Sequence, residues 1–543
     1  MATGTSRSSN YLSLLTARCS RRLAVAALCA LATSCAMVDT VVVVDHPPQP
    51  GDPARAGEPL PGLNAEQLAL FALARAEFLE HDTVDGHDDT TKGLGPRFNL
   101  DGCAGCHAFP ALGGSSPPVN REVAIAHAEG ASNAASIPFV RTDGPTVEVR
   151  FKWQLDASGR FVNGSVQTGG KSGRIADGGV HALFTIAGRT DADPGCRIEQ
   201  PPFQKAWELD NVTLRIPTPV FGLGLIEAID EVTINHNAAR TVMAMANAQK
   251  TGTLKAADYG VEPDDMGNVQ AHAAMNKMLG IHGRPGRGRE NLSGNDSTIT
   301  RFGWKAQNKS LLLFSGEAYN VEQGVTNDLF PNERDQEPVA LSPACKTNPT
   351  PEDTIRIAFA DGAATGSAER QLDVAPGDID LFTAFMRLLA PPKSSCDLAR
   401  DCAANVVRGS AVFDQIYCSA CHVRQLEIGK SPIEAISRQK YAVLYSDLLL
   451  HKMGSCAPRA DHSNACLADG IQQGQALGDE FRTAPLWGVG QRLFLLHDGR
   501  TSNLNEAILA HRGAGSEANA VIKRYFALAG ASRQDLVDFL RTL

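Results

Sequence analysis

The chain is poor in aromatic residues, has no long apolar run and has no excess of basic residues. Aromatic side chains make up 6% of its 543 residues, although 43% hydrophobic residues still allow two or three cores of ordinary size. The longest apolar run, residues 23–32, is too short to span a bilayer as a helix, so we expect no membrane-spanning segment. The formal net charge of −9 argues against nucleic acid as a partner.

The first residues nevertheless have the layout of an export signal. Arg18, Arg21 and Arg22 lie just before the apolar run, which ends at Ala-Thr-Ser-Cys35, a sequence similar to the lipobox of bacterial lipoproteins. We expect residues 1–34 to be removed, Cys35 to carry a lipid anchor, and the protein to lie in the periplasm or cell envelope. Signal cleavage without lipidation is the alternative. Residues 35–62 are rich in proline and predict an extended tether.

Cysteine is not scarce, and four of the 13 cysteines lie in two Cys-x-x-Cys-His segments. Two thiols at this spacing can add to the two vinyl groups of one porphyrin, and the adjacent imidazole can then bind the iron. A redox dithiol or half of a zinc site would explain the cysteines, but not a histidine after each pair. The segments therefore predict two covalently bound haem c groups. The predicted attachment and ligand residues are Cys103, Cys106 and His107, and Cys418, Cys421 and His422.

Six cysteines remain once the signal, Cys35 and the haem motifs are set aside. An even number in an exported protein predicts disulfides. Short loop closure favours the pairs Cys396–Cys402 and Cys456–Cys466. Elimination leaves Cys196–Cys345 as the third pair.

The pattern along the chain predicts a mainly α fold with two cytochrome c-like haem domains. A helix beginning at Asn64, with a capping box to Gln67, precedes the first haem motif. Alternating segments such as residues 147–155 and 212–217 predict strands. Residues 378–389 and 534–543 resemble each other and are typical of the helix that closes a cytochrome c domain. The predicted domains are a first haem domain over 63–120 that is closed by a helix at 376–390, a mixed α/β insertion over 121–375, and a second haem domain over 394–543.

Several further motifs resemble those of one family of haem proteins. They are residues 93–99, 221–227, 301–307, 445–454 and 484–490. As a set they resemble the di-haem oxidoreductase, putative peroxidase family, a relative of the bacterial di-haem cytochrome c peroxidases and of MauG. The resemblance covers most of residues 64–543. It implies an enzyme in which one haem reacts with hydrogen peroxide and the other passes on electrons from a small redox protein.

Cleavage of the peroxide O–O bond needs a group that moves a proton between the two oxygens. Glu227 lies in a glycine-rich apolar segment that would raise its pKa, and it is the predicted catalytic residue. A structural hydrogen bond is the alternative role for this carboxylate. Glu122 and His127, which follow the first haem motif, are further candidates. His181 and His236 are interpreted as structural histidines.

The resemblance also implies a sixth ligand for the second haem. In the peroxidase relatives, a methionine fourteen residues beyond the histidine of a His-Asp-Gly triplet binds the electron-donating haem. Here the triplet begins at His497 and the equivalent position is His511, which we predict to bind the second iron opposite His422. Met453 is the rival ligand, and a surface position for His511 is the other alternative. Because bis-histidine ligation lacks the potential-raising effect of methionine, this haem should have a lower potential than in those relatives.

Other assignments stay open from the sequence. Trp304 or Trp487 could carry electrons between the haems, but each is also explained as a core aromatic. The relatives imply a calcium ion between the haem domains, for which no acidic loop stands out. A non-catalytic electron-transfer cytochrome is one alternative to a peroxidase. An oxidase or oxygenase that acts on an organic or protein substrate is the other.

Overall fold

Two pairs of packed helices organise the fold, and each pair lies beside one Cys-x-x-Cys-His segment. The computed structural model describes residues 42–52, 54–84, 93–128, 130, 137–164, 173–235, 280–287, 299–334, 340–346, 348–360, 371–396, 402–455 and 466–543. Within these ranges the helices are α1 (Ala65–Phe78), α2 (Cys103–Cys106), α3 (Glu122–Ala128), α4 (Phe203–Glu208), α5 (Leu223–Glu227), α6 (Leu311–Ala318), α7 (Asp378–Leu388), α8 (Ala404–Gln415), α9 (Glu434–Ser437), α10 (Leu504–Leu509), α11 (Asn519–Phe526) and α12 (Gly530–Thr542).

The first helix pair consists of α1 and α7. The capping box is confirmed, because the Gln67 N–H donates to Asn64 Oδ1 at 2.8 Å and the Asn64 N–H donates to Gln67 Oε1 at 3.1 Å. The buried side of α1 includes Phe71 and Phe78, whose rings lie 5.6 and 4.5 Å from that of Phe385 in α7. These contacts place the closing helix of the first site directly against the helix that precedes the first haem motif.

The second helix pair consists of α8 and α12. Gly409 allows a close approach, since a Cβ at this position would lie 1.9 Å from the backbone oxygen of Asp535. Beside this crossing, the rings of Phe413 and Phe539 are 5.7 Å apart in an edge-to-face arrangement. The predicted helices over 376–390 and 534–543 are therefore found as α7 and α12, each packed on the helix that precedes a haem motif.

The strands are short and lie mainly between α3 and α7. The largest sheet has the antiparallel order β5-β2-β7, in which Val149 pairs with both His181 and Leu214. The predicted strands at 147–155 and 212–217 appear as β2 and β7. The strands are β1 (Arg97–Phe98), β2 (Glu148–Phe151), β3 (Asn163–Gly164), β4 (Gly173–Arg174), β5 (Val180–His181), β6 (Phe184–Thr185), β7 (Val212–Arg215), β8 (Gly286–Arg287), β9 (Ile299–Thr300), β10 (Arg356–Ala360), β11 (Gln371–Ala375), β12 (Leu426–Glu427), β13 (Tyr441–Ala442), β14 (Leu450–Lys452) and β15 (Glu480–Arg482).

Two of the predicted disulfides are confirmed. Cys196 is bonded to Cys345, and Cys396 is bonded to Cys402. Cys466 is also disulfide-bonded, while its predicted partner, Cys456, lies outside the described residues. The Cys196–Cys345 bond joins chain positions 149 residues apart within the core formed around β2 and β7.

Residues 42–62, expected to be part of an extended tether, have little regular structure but are attached to the rest of the protein. Asp45 forms an ion pair with Arg541 in α12, with a distance of 2.6 Å between Oδ1 and Nε. The Leu60 N–H donates to the Leu388 backbone oxygen at 2.7 Å at the end of α7. The described part of the expected tether therefore contacts both closing helices through its polar groups. Within the described ranges, no helix is both long and apolar enough to cross a membrane.

Candidate haem sites

The first haem motif lies at the wall of a cavity of about 610 Å³. The single turn α2 brings both thiols to this wall, and Gly105 is required there because a Cβ would lie 2.1 Å from the Leu100 side chain. His107 follows at the end of the turn and its Nδ1 lies 3.1 Å from the Gly114 backbone oxygen, which orients the ring. Burial lowers the pKa of His107 to about 4, so the imidazole is neutral and can bind a metal.

The residues of this cavity fit a covalently attached haem. Cys103 and Cys106 form no disulfide, and both thiols line the cavity together with His107. Apolar walls come from both helices of the first pair, including Phe78, Phe382 and Met386. Among the described residues, His107 is the only histidine that lines this cavity.

Among the described residues, five acidic side chains line the same cavity, and Glu122 is the most completely buried of the predicted candidates. Its side chain accepts hydrogen bonds from Asn120 Nδ2 at 3.0 Å and from the Val147 N–H at 3.2 Å, and the residue is 1% exposed. Burial raises the pKa of Glu122 to about 8, although these hydrogen bonds act in the opposite direction. Burial likewise raises the pKa of Glu322 to about 8. The five acidic residues that line the cavity are Glu122, Glu148, Asp177, Glu317 and Glu322.

Glu227, the predicted catalytic residue, is not among the residues that line this cavity. It ends α5, and its carboxylate pairs with Arg387 in α7, with Oε2 2.5 Å from Nε and Oε1 3.1 Å from Nη2. Oε1 also accepts the Leu311 N–H at 3.1 Å, at the start of α6. The Glu227 carboxylate therefore joins α5, α6 and α7. This is the structural hydrogen-bonding role that the sequence left open as the alternative.

The other histidines considered from the sequence either do not line this cavity or lie outside the described residues. His127 is exposed on α3 and does not line the cavity. His181 is buried in β5, where its ring stacks on Phe151 at 4.0 Å and its Nε2 lies 3.2 Å from Asp177 Oδ2. His236 lies outside the described residues.

The second haem motif lines a more apolar cavity of about 220 Å³. Cys418 and Cys421 form no disulfide, and Tyr417 enters the turn with a left-handed φ of 77°. His422 and His511 lie across this cavity with ring centroids 6.4 Å apart. Their Nδ1 atoms face the backbone oxygens of Tyr445 at 3.0 Å and Ala507 at 2.9 Å, which leaves Nε2 of each ring for a metal.

This separation accommodates one metal ion between two imidazoles, with metal–nitrogen bonds of about 2.0–2.1 Å, as found for zinc. The rival ligand Met453 also lines the cavity and is 8% exposed. His497 lines it too, with its ring 4.6 Å from that of Phe481, in keeping with a wall residue.

His451 lies between two carboxylates, with Nδ1 2.8 Å from Glu517 Oε2 and Nε2 2.9 Å from Asp447 Oδ2. In the part of the chain that the structure describes, no group of three or more His, Cys, Asp or Glu side chains could hold a metal ion.

Trp304 lies between the two sites, because it lines both haem cavities. Its indole Nε1 donates to the Ile216 backbone oxygen at 3.0 Å, and its ring lies 6.4 Å from that of His497. Trp487 is buried in the core around α5 and lines neither haem cavity. Its ring packs closely against Gly222, since a Cβ at that position would lie 2.7 Å from the ring. Of the two tryptophans, only Trp304 is therefore placed for a role between the haems.

Two cavities, each lined by a pair of unbridged cysteines and the histidine that follows them, are the two candidate haem sites of this protein. Residues 291–543 match the model of the family described as di-haem oxidoreductase, putative peroxidase. The matched part of the chain contains the second haem motif, and the resemblance drawn from the sequence is confirmed for those residues.

No curated protein matches the chain. Among solved structures, a similar one is the hydrazine synthase of Kuenenia stuttgartiensis pressurised with xenon, at 15% sequence identity. The similarity covers 46% of this chain and 64% of that chain, with a TM-score of 0.22. The match therefore spans less than two thirds of that chain's length.

Sequence reasoning missed most of the charged residues that line these cavities. Glu322 lies in the π-helical turn after α6 and reaches the first cavity from more than 200 residues beyond the haem motif. Arg482 and Arg492 line the second cavity, on either side of the family motif at residues 484–490. That proximity to the motif was the signal that could have pointed to the arginines, whereas Glu322 has no comparable signal in the sequence.

Proposed function

We propose that this protein is an exported di-haem c-type oxidoreductase that reduces hydrogen peroxide at the first haem with electrons passed through the second. The contrast between the two cavities carries the proposal. In the first, His107 is the only histidine among the described lining residues, and carboxylates occupy the wall. In the second, two histidines lie across the cavity at a spacing that suits ligation of one iron from both sides. One site is thereby suited to bind a small oxidant and the other to carry electrons.

Reduction of one peroxide to two waters consumes two electrons and two protons, so the first cavity must supply protons. When bound, the haem iron supplies the site at which the peroxide oxygen binds and is reduced. We assign the proton transfer to the Glu122 carboxyl, replacing the earlier assignment to Glu227. A pKa of about 8 means that this buried acid carries a proton at neutral pH, and its hydrogen bonds from Asn120 and Val147 fix its orientation.

Arg150 compensates part of the negative charge in this cavity. Its guanidinium Nε lies 2.6 Å from Glu148 Oε1, and both side chains line the cavity wall. The arginine also lowers the pKa of the nearby Glu322, against the larger effect of burial. The cavity can therefore hold a proton on one carboxyl while a neighbouring carboxylate stays ionised.

The electron route is proposed to run from the second haem through Trp304. This is supported by the position of the indole between the two cavities and by its hydrogen bond to Ile216, which holds it in place.

Each helix pair with its haem motif would form one cytochrome c-like unit, as expected from the sequence. The electron donor would be a small redox protein, and the lipid on Cys35 would hold the enzyme at the cell envelope. We propose no calcium site.

Electron paramagnetic resonance of the ferric protein tests the proposal. We expect one high-spin and one low-spin haem, with the high-spin signal responding to added peroxide or to a small anion. A Cys103→Ala, Cys106→Ala double variant should lose the high-spin signal and peroxide turnover but keep the low-spin signal. Two low-spin haems in both the fully ferric and the half-reduced protein would reject the enzyme and leave an electron-transfer cytochrome.

Turnover experiments separate peroxide reduction from oxidation of an organic substrate. With peroxide as oxidant, the enzyme should consume a reduced small electron carrier with a stoichiometry of two electrons per peroxide. Peroxide-dependent oxidation of an organic donor, with no oxidation of any protein carrier tested, would instead favour an oxidase or oxygenase role.

A further inference from the structure

Arg482 and Arg492 line the second cavity and have no carboxylate partner among the described residues; Arg482 is buried and Arg492 is half-buried. Arg482 is 6% exposed, and its guanidinium bonds only to backbone oxygens, with Nε 3.0 Å from Gly303 and Nη1 3.2 Å from Thr483. Arg492 Nη2 likewise lies 3.3 Å from the Pro485 backbone oxygen. An isolated buried charge is costly unless an opposite charge compensates it.

Other buried cations nearby do have such partners. Arg215 and Lys305 share Asp469, at 2.8 and 2.9 Å. The carboxylate that acts electrostatically on Arg482 is Asp447, but this group already accepts hydrogen bonds from His451 Nε2 at 2.9 Å and from the Leu449 N–H at 3.0 Å. The two arginines also repel each other, and burial lowers the pKa of each to about 10. A bound anion would offset both the repulsion between the two arginines and the cost of removing their charges from water.

The position of the arginines indicates which anion fits. Both line the second haem cavity and also a cavity of about 20 Å³ beside it, whose wall includes Trp304. Trp304 in turn lines the first haem cavity. Arg482 is tied to this tryptophan, because its N–H donates to the Trp304 backbone oxygen at 3.1 Å. A haem held in the second cavity carries two propionate carboxylates on one edge, which equals the number of uncompensated guanidinium groups.

We propose that Arg482 and Arg492 bind the propionate edge of the second haem and thereby turn that edge toward Trp304 and the first site. The inference rests on the proposed function only in assuming that a haem occupies the second cavity. Guanidinium groups suit carboxylates because their planar forks can donate two parallel hydrogen bonds. Two positive charges at this edge also favour the reduced haem electrostatically, which offsets part of the low potential expected of bis-histidine ligation.

Spectroelectrochemistry of the two-haem protein tests the role of the arginines. In Arg482→Gln and in Arg492→Gln, we expect the midpoint potential of the second haem to fall while that of the first haem changes less. Resonance Raman spectra should show a shift of the propionate bending mode of one haem only. Arg482→Lys keeps the positive charge but lacks the planar guanidinium group. It should therefore recover most of the potential that Arg482→Gln loses, but not the wild-type propionate bending mode. The matched control is Arg408→Gln, which removes an exposed arginine paired with Asp535 and should change neither readout.

Two outcomes would overturn the proposal. The first is an unchanged second-haem potential and propionate mode in both glutamine variants, with circular dichroism showing that they are folded. The second is a response of the wild-type second-haem spectrum to inorganic phosphate that both variants lose, because the arginines would then hold a free anion. A protein with fewer than two haems by pyridine haemochrome assay would instead contradict the proposed function, so the two failures are distinguishable.

Discussion

His422 and His511 face each other across the second cavity, with ring centroids 6.4 Å apart and ring planes inclined at 64°. They lie 89 positions apart in the sequence and come from different elements, the haem-binding turn and the end of α10. Each ring has its Nδ1 engaged by a backbone oxygen. The pair is consequently prepared to present two Nε2 atoms to one iron without further rearrangement of the rings.

Replacing His511 should open the second haem. In His511→Ala we expect the low-spin ferric signal of this haem to become high-spin, and in His511→Met we expect its midpoint potential to rise, since methionine ligation raises haem potentials. Optical and paramagnetic resonance spectra with potentiometry measure both effects. Met453→Leu is the control and should leave the low-spin signal intact. A charge-transfer band of methionine–haem ligation that persists in His511→Ala and disappears in Met453→Leu would assign the ligand to Met453 instead.

Cys103, Cys106, Cys418 and Cys421 should hold two haems through thioether bonds that survive unfolding. The denatured wild-type protein is expected to keep its Soret absorbance and to weigh two haems more than the processed polypeptide. A Cys418→Ala, Cys421→Ala double variant should retain half of the covalently bound haem. Mass spectrometry that finds one haem or none on the wild-type chain would contradict this assignment.

Glu122→Gln should slow peroxide turnover by about 10²–10⁴-fold, because it keeps the size of the side chain but removes the transferable proton. Glu227→Gln is the matched control. That variant should turn over at the wild-type rate and lose less than about 1 kcal/mol of stability, since its ion pair with Arg387 is partly exposed. Steady-state kinetics and thermal melts of both variants measure these effects. Equal kinetics for Glu122→Gln and wild type would remove Glu122 from the mechanism.

The contribution of Glu77 and Asp353 to stability should fall as the pH rises from about 4.5 to about 8. Burial, followed by the nearby Asp378, raises the pKa of Glu77 from 4.5 to about 8, and burial raises the pKa of Asp353 to about 7. Acids with a raised pKa in the folded state bind protons more tightly when folded, so their contribution is fully present below the unfolded pKa and is lost as the pH rises through the folded value. The measurement is Tm against pH, in which Glu77→Gln should give a shallower decline. A Tm profile of Glu77→Gln that parallels wild type would contradict the assignment.

Loss of the Cys196–Cys345 disulfide should lower the free energy of unfolding by about 2–4 kcal/mol, the usual range for a native disulfide. The bond connects segments 149 residues apart in the core around β2 and β7. A Cys196→Ala, Cys345→Ala double variant should show this loss in denaturant unfolding while keeping two haems. The corresponding change at Cys396 and Cys402, which lie 6 residues apart, should cost less because a shorter loop is released. The reverse order of the two costs would contradict the loop-length argument.

Features encoded within a few residues could be read from the sequence. The Cys-x-x-Cys-His spacing places two thiols and an imidazole on one turn, and the Asn64–Gln67 capping box forms within that same first turn of α1. Both features depend on local backbone geometry, which residue type and spacing determine directly. The two disulfides with described partners followed from counting cysteines once the haem motifs were recognised.

The tertiary structure alone decided which charged groups reach the haem cavities. The sequence favours Glu227 over Glu122 as the acid. In the structure, however, Arg387, 160 residues from Glu227, binds the Glu227 carboxylate, whereas Asn120 and Val147 hold the Glu122 carboxylate at the cavity wall. Arg482 and Arg492 become distinctive only when packing buries them without a carboxylate partner among the described residues. Burial and long-range pairing depend on residues brought together by the whole fold, and these determine whether a charge is compensated, retained for a ligand or available for proton transfer.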